Sequence, residues 1–152
     1  MAFDGETAHR VSAGGWATLL AVRAVVAERA NSVPPLLASA AALLFPGVGH
    51  LLLGRRQRGL IFLGAIPAMF AIGLALDGRI FPFEFSQPLV ALAAVAARGV
   101  GLPALVAGWF GLGRGLVTAA SYEYGNAFLI VSGLLNMLVV LDAFDVASGR
   151  KR

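Results

Sequence analysis

From Pro34 to Leu53 the chain runs for twenty residues without a charge. It then meets Arg55-Arg56-Gln57-Arg58, and a second apolar run, Leu60 to Leu76, begins at once. As a helix the first run would be about 30 Å long at about 1.5 Å per residue, the thickness of a bilayer's hydrocarbon core. Two such runs joined by a basic knot predict a membrane hairpin with its tip at one face of the bilayer. The composition agrees, because only 13% of the residues are charged and 59% are hydrophobic. A soluble domain carries about 25% charged residues, and a chain of this size could not cover so much apolar surface in water.

Several function classes fall away. The chain has no cysteine, so it forms no disulfide, thiolate metal site or cysteine nucleophile. The net charge is +4, but the basic residues sit at the ends of apolar runs and not along one soluble face, which argues against nucleic acid. Charge placed that way reports membrane topology. The bias to arginine, alanine and glycine points to a GC-rich bacterial genome and hence a bacterial cytoplasmic (inner) membrane. Acidic Asp4 and Glu6 in the opening Met1–Arg10 segment argue against a cleavable signal.

In chain order, Gly14 to Ala30 is helical by pattern and carries Arg23 near its middle. It is either a surface helix with Trp16 at headgroup depth or a span whose arginine faces other helices. Pro34 and Pro35 suit a first helical turn. Pro46 removes the amide that would bond the Ala42 carbonyl, and Gly47 and Gly49 loosen the same turn, so a kink or a complete break is expected there. Pro67 implies a kink in the Leu60–Leu76 run. Ile80 to Pro88 is a loop. Leu89 to Leu112 is divided by Arg98-Gly99-Val100-Gly101-Leu102-Pro103 into pieces too short to cross alone. It is either one distorted span or a re-entrant or interfacial pair of half-helices. The last helix, 124–145, follows two interfacial tyrosines, Tyr122 and Tyr124. The expected fold is all-α: one integral membrane domain over 1–152, with a core hairpin at 34–76. It has three to four transmembrane helices plus a re-entrant or interfacial segment at 89–112.

The basic tip (Arg55, Arg56, Arg58) and the basic tail (Arg150, Lys151, Arg152) are both expected in the cytoplasm. That places the C-terminus inside only if Leu89–Leu112 does not cross completely.

Candidate functional residues are few. His50 is the only histidine inside an apolar segment, suited to a proton relay, an anionic headgroup or the backbone groups freed by Pro46. Arg55, Arg56 and Arg58 either anchor the tip or bind anionic lipid. Ser132 and Asn136 share a face of the last helix, where small and amide residues typically join helices. Asp142 and Asp145 share a face three residues apart and suit pairing with Arg55, Arg56 or Arg58. No nucleophile, metal cluster or oxyanion motif accompanies them, so neither an enzyme nor a cofactor is expected.

The run Pro46-Gly47-Val48-Gly49-His50-Leu51-Leu52-Leu53-Gly54, with Gly59-Leu60 opening the next helix, resembles the two-transmembrane-helix domain of many bacterial and some eukaryotic membrane proteins. Leu51 and Leu52 stand where that domain usually has an aromatic pair. The proline-glycine-x-glycine-histidine form is more similar to an uncharacterised group of bacterial membrane proteins. Its members end in a way that resembles Tyr122-Glu123-Tyr124-Gly125-Asn126, Gly133-Leu134-Leu135-Asn136 and Leu141-Asp142-Ala143-Phe144-Asp145. The resemblance implies a fold and no reaction. The function expected is a non-enzymatic accessory or assembly subunit of a larger membrane complex, with the bilayer and other membrane subunits as partners. The alternative is a small transport or lipid-handling component using His50, Arg98, Asn136 and the two aspartates as a polar path.

Overall fold

The apolar runs become helices, and the breaks in the sequence become reversals. A computed structural model describes residues 15–22, 24–25 and 33–151. Within residues 33–151 six helices follow one another: α1 Pro35–Leu44, α2 Val48–Leu52, α3 Arg56–Ala75, α4 Pro88–Arg98, α5 Leu102–Trp109 and α6 Tyr122–Ala147. Among the described residues there is no strand, only an isolated antiparallel bridge between Arg79 and Arg114. Residues 15–22 and 24–25 are helical and exposed. The rest of the expected Gly14–Ala30 helix, including Arg23, lies outside the described residues, as do Met1–Arg10 and Arg152.

Helices α3 and α6, of 20 and 26 residues, are each long and apolar enough to cross a membrane. Helices α4 and α5 pass the same test only as a pair, and their axes are bent by 104°. The described residues are therefore all-helical, with two, or up to three, membrane-compatible spans.

Helices α3 and α6 pack antiparallel, and glycine sets how closely. A Cβ on Gly73 would lie 3.0 Å from the Gly125 carbonyl oxygen, and one on Gly125 would lie 2.6 Å from the Gly78 nitrogen. Apolar helices in lipid gain little from burying more apolar surface, so close van der Waals contact at small residues carries the association. At the opposite end His50 touches Phe62 of α3 and Asp142 of α6. Arg55, Arg56 and Arg58 therefore lie at the same end of the bundle as Arg150 and Lys151. Pro67 does not divide α3, which continues through it.

Of the kink and the complete break expected at Pro46, the Pro34–Leu53 run takes the break. Helix α1 stops at Leu44, Phe45 is extended (φ −138°, ψ 119°), and Gly47 adopts φ +86°. Pro46 has no amide to continue the ladder. Gly47 adds a left-handed turn, and a Cβ there would collide with the Gly59 carbonyl oxygen. Helix α2 folds back on α1, with Gly49 seated against the Ala38 carbonyl and the Ala42 side chain. Val33 packs at the Ala143–Ala147 end of α6 together with Ala38, Ala42 and Leu53. The α1–α2 hairpin thus leaves the basic end of the bundle and returns to it.

The α4–α5 pair mirrors that arrangement from the other end. Gly99 and Val100 break the helix, and Gly101 opens α5 at φ +83°. The flanking loops are bonded to each other, Ile80 N donating to Gly113 O at 2.8 Å and Leu116 N to Asp77 O at 3.2 Å. The segment between them therefore leaves and rejoins the bundle at the end remote from the basic tip. Ala104 and Ala107 of α5 enter the core beside Ile66, Phe70 and Leu129.

The two hairpins are written alike in sequence. Pro35-Leu36-Leu37-Ala38 leads to Gly47-Val48-Gly49, and Pro88-Leu89-Val90-Ala91 leads to Gly99-Val100-Gly101. Each hairpin precedes one long helix, and those helices run in opposite directions. The breaks meet where Gly101 lies against the Leu43 and Leu44 carbonyls.

Candidate functional site

His50 enters the interior because α2 turns back, three residues after the left-handed Gly47. It is completely buried. Its Nε2 lies 2.9 Å from Asp142 Oδ2, and its ring meets Phe62 edge-on with centroids 5.2 Å apart. A carboxylate only accepts, so Nε2 carries the proton that joins the pair. Nδ1 is buried and has no partner among the described residues. The second oxygen of Asp142, Oδ1, accepts from Lys151 Nζ at 3.0 Å.

The geometry of the C-terminus brings Lys151 there. Gly149 adopts φ +73°, Gly149 N donates to Val146 O, and Arg150 N donates to Asp145 O. Those bonds form a Schellman cap, which satisfies the last carbonyls of α6 and folds the basic tail back over the helix end. Asp145 is left 3.7 Å from Arg150 Nη1.

The pairing differs from the one the charge pattern suggests. Asp142 meets His50 and Lys151, Asp145 meets Arg150, and none of Arg55, Arg56 and Arg58 forms an ion pair among the described residues. Because α2 reverses, it is His50, and not the tip, that faces α6. A histidine can sit there neutral, whereas an arginine in the same place would have to be desolvated with its charge. The three tip arginines instead line an open depression of about 480 Å³ with Gly54 and Gln57.

Two further polar contacts hold the broken helices. Asn136 is completely buried, and its Nδ2 donates to Gly99 O at 2.8 Å, a carbonyl left free where α4 ends. Asn126 Oδ1 accepts from Arg79 N at 2.7 Å and ties the α3–α4 loop to α6. Ser132, on the same face as Asn136, donates to its own helix at Leu129 O and makes no other side-chain bond among the described residues. Arg98 does not approach the aspartates. Its Nη1 donates to Phe81 O at 2.7 Å and Ala94 O at 3.2 Å, and its guanidinium lies over Phe83 at 4.5 Å.

The charge pattern did not mark Lys151, Phe62, Asn126 or Gly99 as partners. Asn126 carried the one usable signal, an amide just inside a helix start after a glycine. An interhelical hydrogen bond in an apolar bundle is worth about 0.6–2 kcal/mol, so Asn136→Ala is expected to lower unfolding stability in detergent by about 1 kcal/mol.

The aspartate fixes the orientation of the imidazole ring at one end of the helical bundle. Among the described residues no three His, Asp or Glu side chains are grouped to hold a metal ion. The fold and the site thus define a small all-helical protein whose long helices fit a membrane, with a buried histidine bonded to a half-buried aspartate at its basic end. The chain belongs to DUF6677, a family of unknown function whose model matches residues 37–152, from the first turn of α1 onward. No curated protein and no solved structure matches the chain.

Proposed function

We propose that this chain is a non-enzymatic accessory or assembly subunit of a larger complex in a bacterial inner membrane. One observation carries the reading: the polar side chains buried among the helices are engaged in fixing the chain's own shape. His50 holds α2 to α6, Asn136 holds the end of α4 to α6, and Asn126 holds the α3–α4 loop to α6. The outer surface, in contrast, offers apolar concavities of the size of large side chains. One of about 350 Å³ is lined by Leu102, Leu105, Val106, Trp109 and Phe110. Another of about 220 Å³ lies between α3 and α6 at Met69, Ala127, Phe128 and Val131. Such hollows receive knobs from neighbouring helices. Gentle extraction is expected to recover stoichiometric membrane partners, and a lone, monodisperse species would overturn the reading.

The topology that fits is two complete crossings, α3 and α6, each preceded by a re-entrant hairpin. Any further crossing belongs to the segment before Pro34. Among the described residues the basic end carries Arg55, Arg56, Arg58, Arg150 and Lys151, whereas the far end carries Arg79, Arg98 and Arg114. That bias supports a cytoplasmic basic end and, with it, a cytoplasmic C-terminus. There the three tip arginines attract anionic lipid, at about 1 kcal/mol for each basic group near the surface.

A transport or lipid-handling role is the second reading. It is favoured by the paired Gly/Pro-interrupted helices in corresponding positions of the two halves, which in transporters mark the solute site. It requires that Asn136→Ala or Asp142→Asn abolish a flux while protein abundance stays unchanged.

A further inference from the structure

At the end of the bundle away from the basic tip, three arginines from three segments surround one cavity. Arg79 follows α3, Arg98 ends α4, and Arg114 lies in the loop after α5. With Gly111, Leu112 and Gly113 they line a space of about 410 Å³ that also receives Ile80, Pro82 and Gly108 but no carboxylate. The volume lies within the roughly 300–1,000 Å³ usual for ligand sites.

The backbone enforces this gathering of like charges. Arg79 and Arg114 are the directly opposed residues of the antiparallel bridge. Opposed residues in such a bridge project to the same face, where like charges repel. The bridge is fixed from both sides, by Ile80 N on Gly113 O and by Arg79 N on the buried amide of Asn126. The Arg114 guanidinium folds over Gly111, with Nη2 3.3 Å from where a Cβ there would sit. Arg98 is held by two carbonyls that both engage Nη1, and its Nη2 and Nε make no bond within the described residues. Neither Arg79 nor Arg114 makes an ion pair among the described residues. Three guanidiniums held together without a counter-charge have the donor geometry and the charge that bind a phosphate group.

We propose that this cavity binds a phosphate group, presented by an anionic phospholipid or by a soluble phosphate. The surroundings favour the lipid source. Phe83, Phe85, Trp109, Phe110 and Leu112 stand exposed around the arginines and suit the headgroup–acyl boundary. The site is separate from the tip depression at Arg55–Arg58, which lies at the other end of the bundle.

The test uses the full chain in phosphatidylcholine nanodiscs, titrated with short-chain phosphatidylglycerol in one arm and inorganic phosphate in the other. Binding is followed by the shift in unfolding midpoint and by native mass spectrometry. The double variant Arg79→Gln/Arg114→Gln is expected to weaken phosphatidylglycerol binding by about tenfold or more, the effect of losing two charge-assisted donors. Arg114→Gln alone, at an exposed side chain, serves if the double variant does not fold. Arginine-dependent binding of inorganic phosphate with no preference for phosphatidylglycerol would support the site with a soluble source. Failure of both probes to bind, or binding that these arginine substitutions leave unchanged, would overturn the proposal.

Discussion

Gly133→Ala is expected to destabilise the protein by about 3 kcal/mol, the upper range for forcing extra volume into a packed interior. The added Cβ would fall on the carbonyl oxygen of Ala96, a backbone atom in α4 that no rotamer change can move aside. Relief requires α4 to lift away from α6, and that movement pulls Gly99 from Asn136, because both contacts lie within one turn of α6. The chain supplies its own control. A Cβ on Gly64 or Gly108 would meet nothing within 4 Å, and both glycines lie inside helices. Alanine at either position is expected to be neutral or stabilising by up to about 1 kcal/mol, through helix propensity alone. Unfolding midpoints of the three variants in one detergent separate the two outcomes.

Asp142→Ala is expected to cost about 2–3 kcal/mol. Removing the carboxylate leaves the fully buried His50 without a partner on either nitrogen, and an unsatisfied buried polar group costs about 1–3 kcal/mol. Asp142→Asn retains an amide oxygen that can accept from Nε2, and its cost is expected to fall to about half of that. Lys151→Ala removes only the exposed partner, and a pair of this kind is worth at most about 1 kcal/mol. The order Asp142→Ala, then Asp142→Asn, then Lys151→Ala follows from burial. The reverse order would mean that the surface ion pair, and not the histidine contact, anchors the helix end. Urea titration of the purified variants reads it directly.

The helices themselves were legible because apolar runs bounded by proline, glycine and charge carry a local signature. Pro46 and the Gly99–Pro103 run marked both breaks. The reversal at Gly47 was not legible, since a kink and a turn-back begin with the same residues. What decides between them is whether Gly49 fits against Ala38 and Ala42, a contact between segments that periodicity cannot register. The partner of Asp142 was hidden for a related reason. Counting charges pairs an aspartate with arginines, whereas burial selects a residue able to shed its charge, and only the turn-back delivers His50. Lys151 reached the site through a C-cap whose signal, Ser148-Gly149 before three basic residues, reads in the sequence only as a helix end. The likeness of Pro35–Gly49 to Pro88–Gly101 was present in the letters, but it gains meaning from the opposite directions of α3 and α6.

Because the chain contains no cysteine, single cysteines placed in the loops report their side of the membrane without background. Ser86→Cys, before α4, and Thr118→Cys, after α5, are expected to react with a membrane-impermeant maleimide added outside intact cells. Gln57→Cys at the basic tip and Ser148→Cys after α6 are expected to react only once the membrane is opened. Labelling of Ser86→Cys and Thr118→Cys from opposite sides would make α4–α5 a complete crossing and contradict the double re-entrant topology.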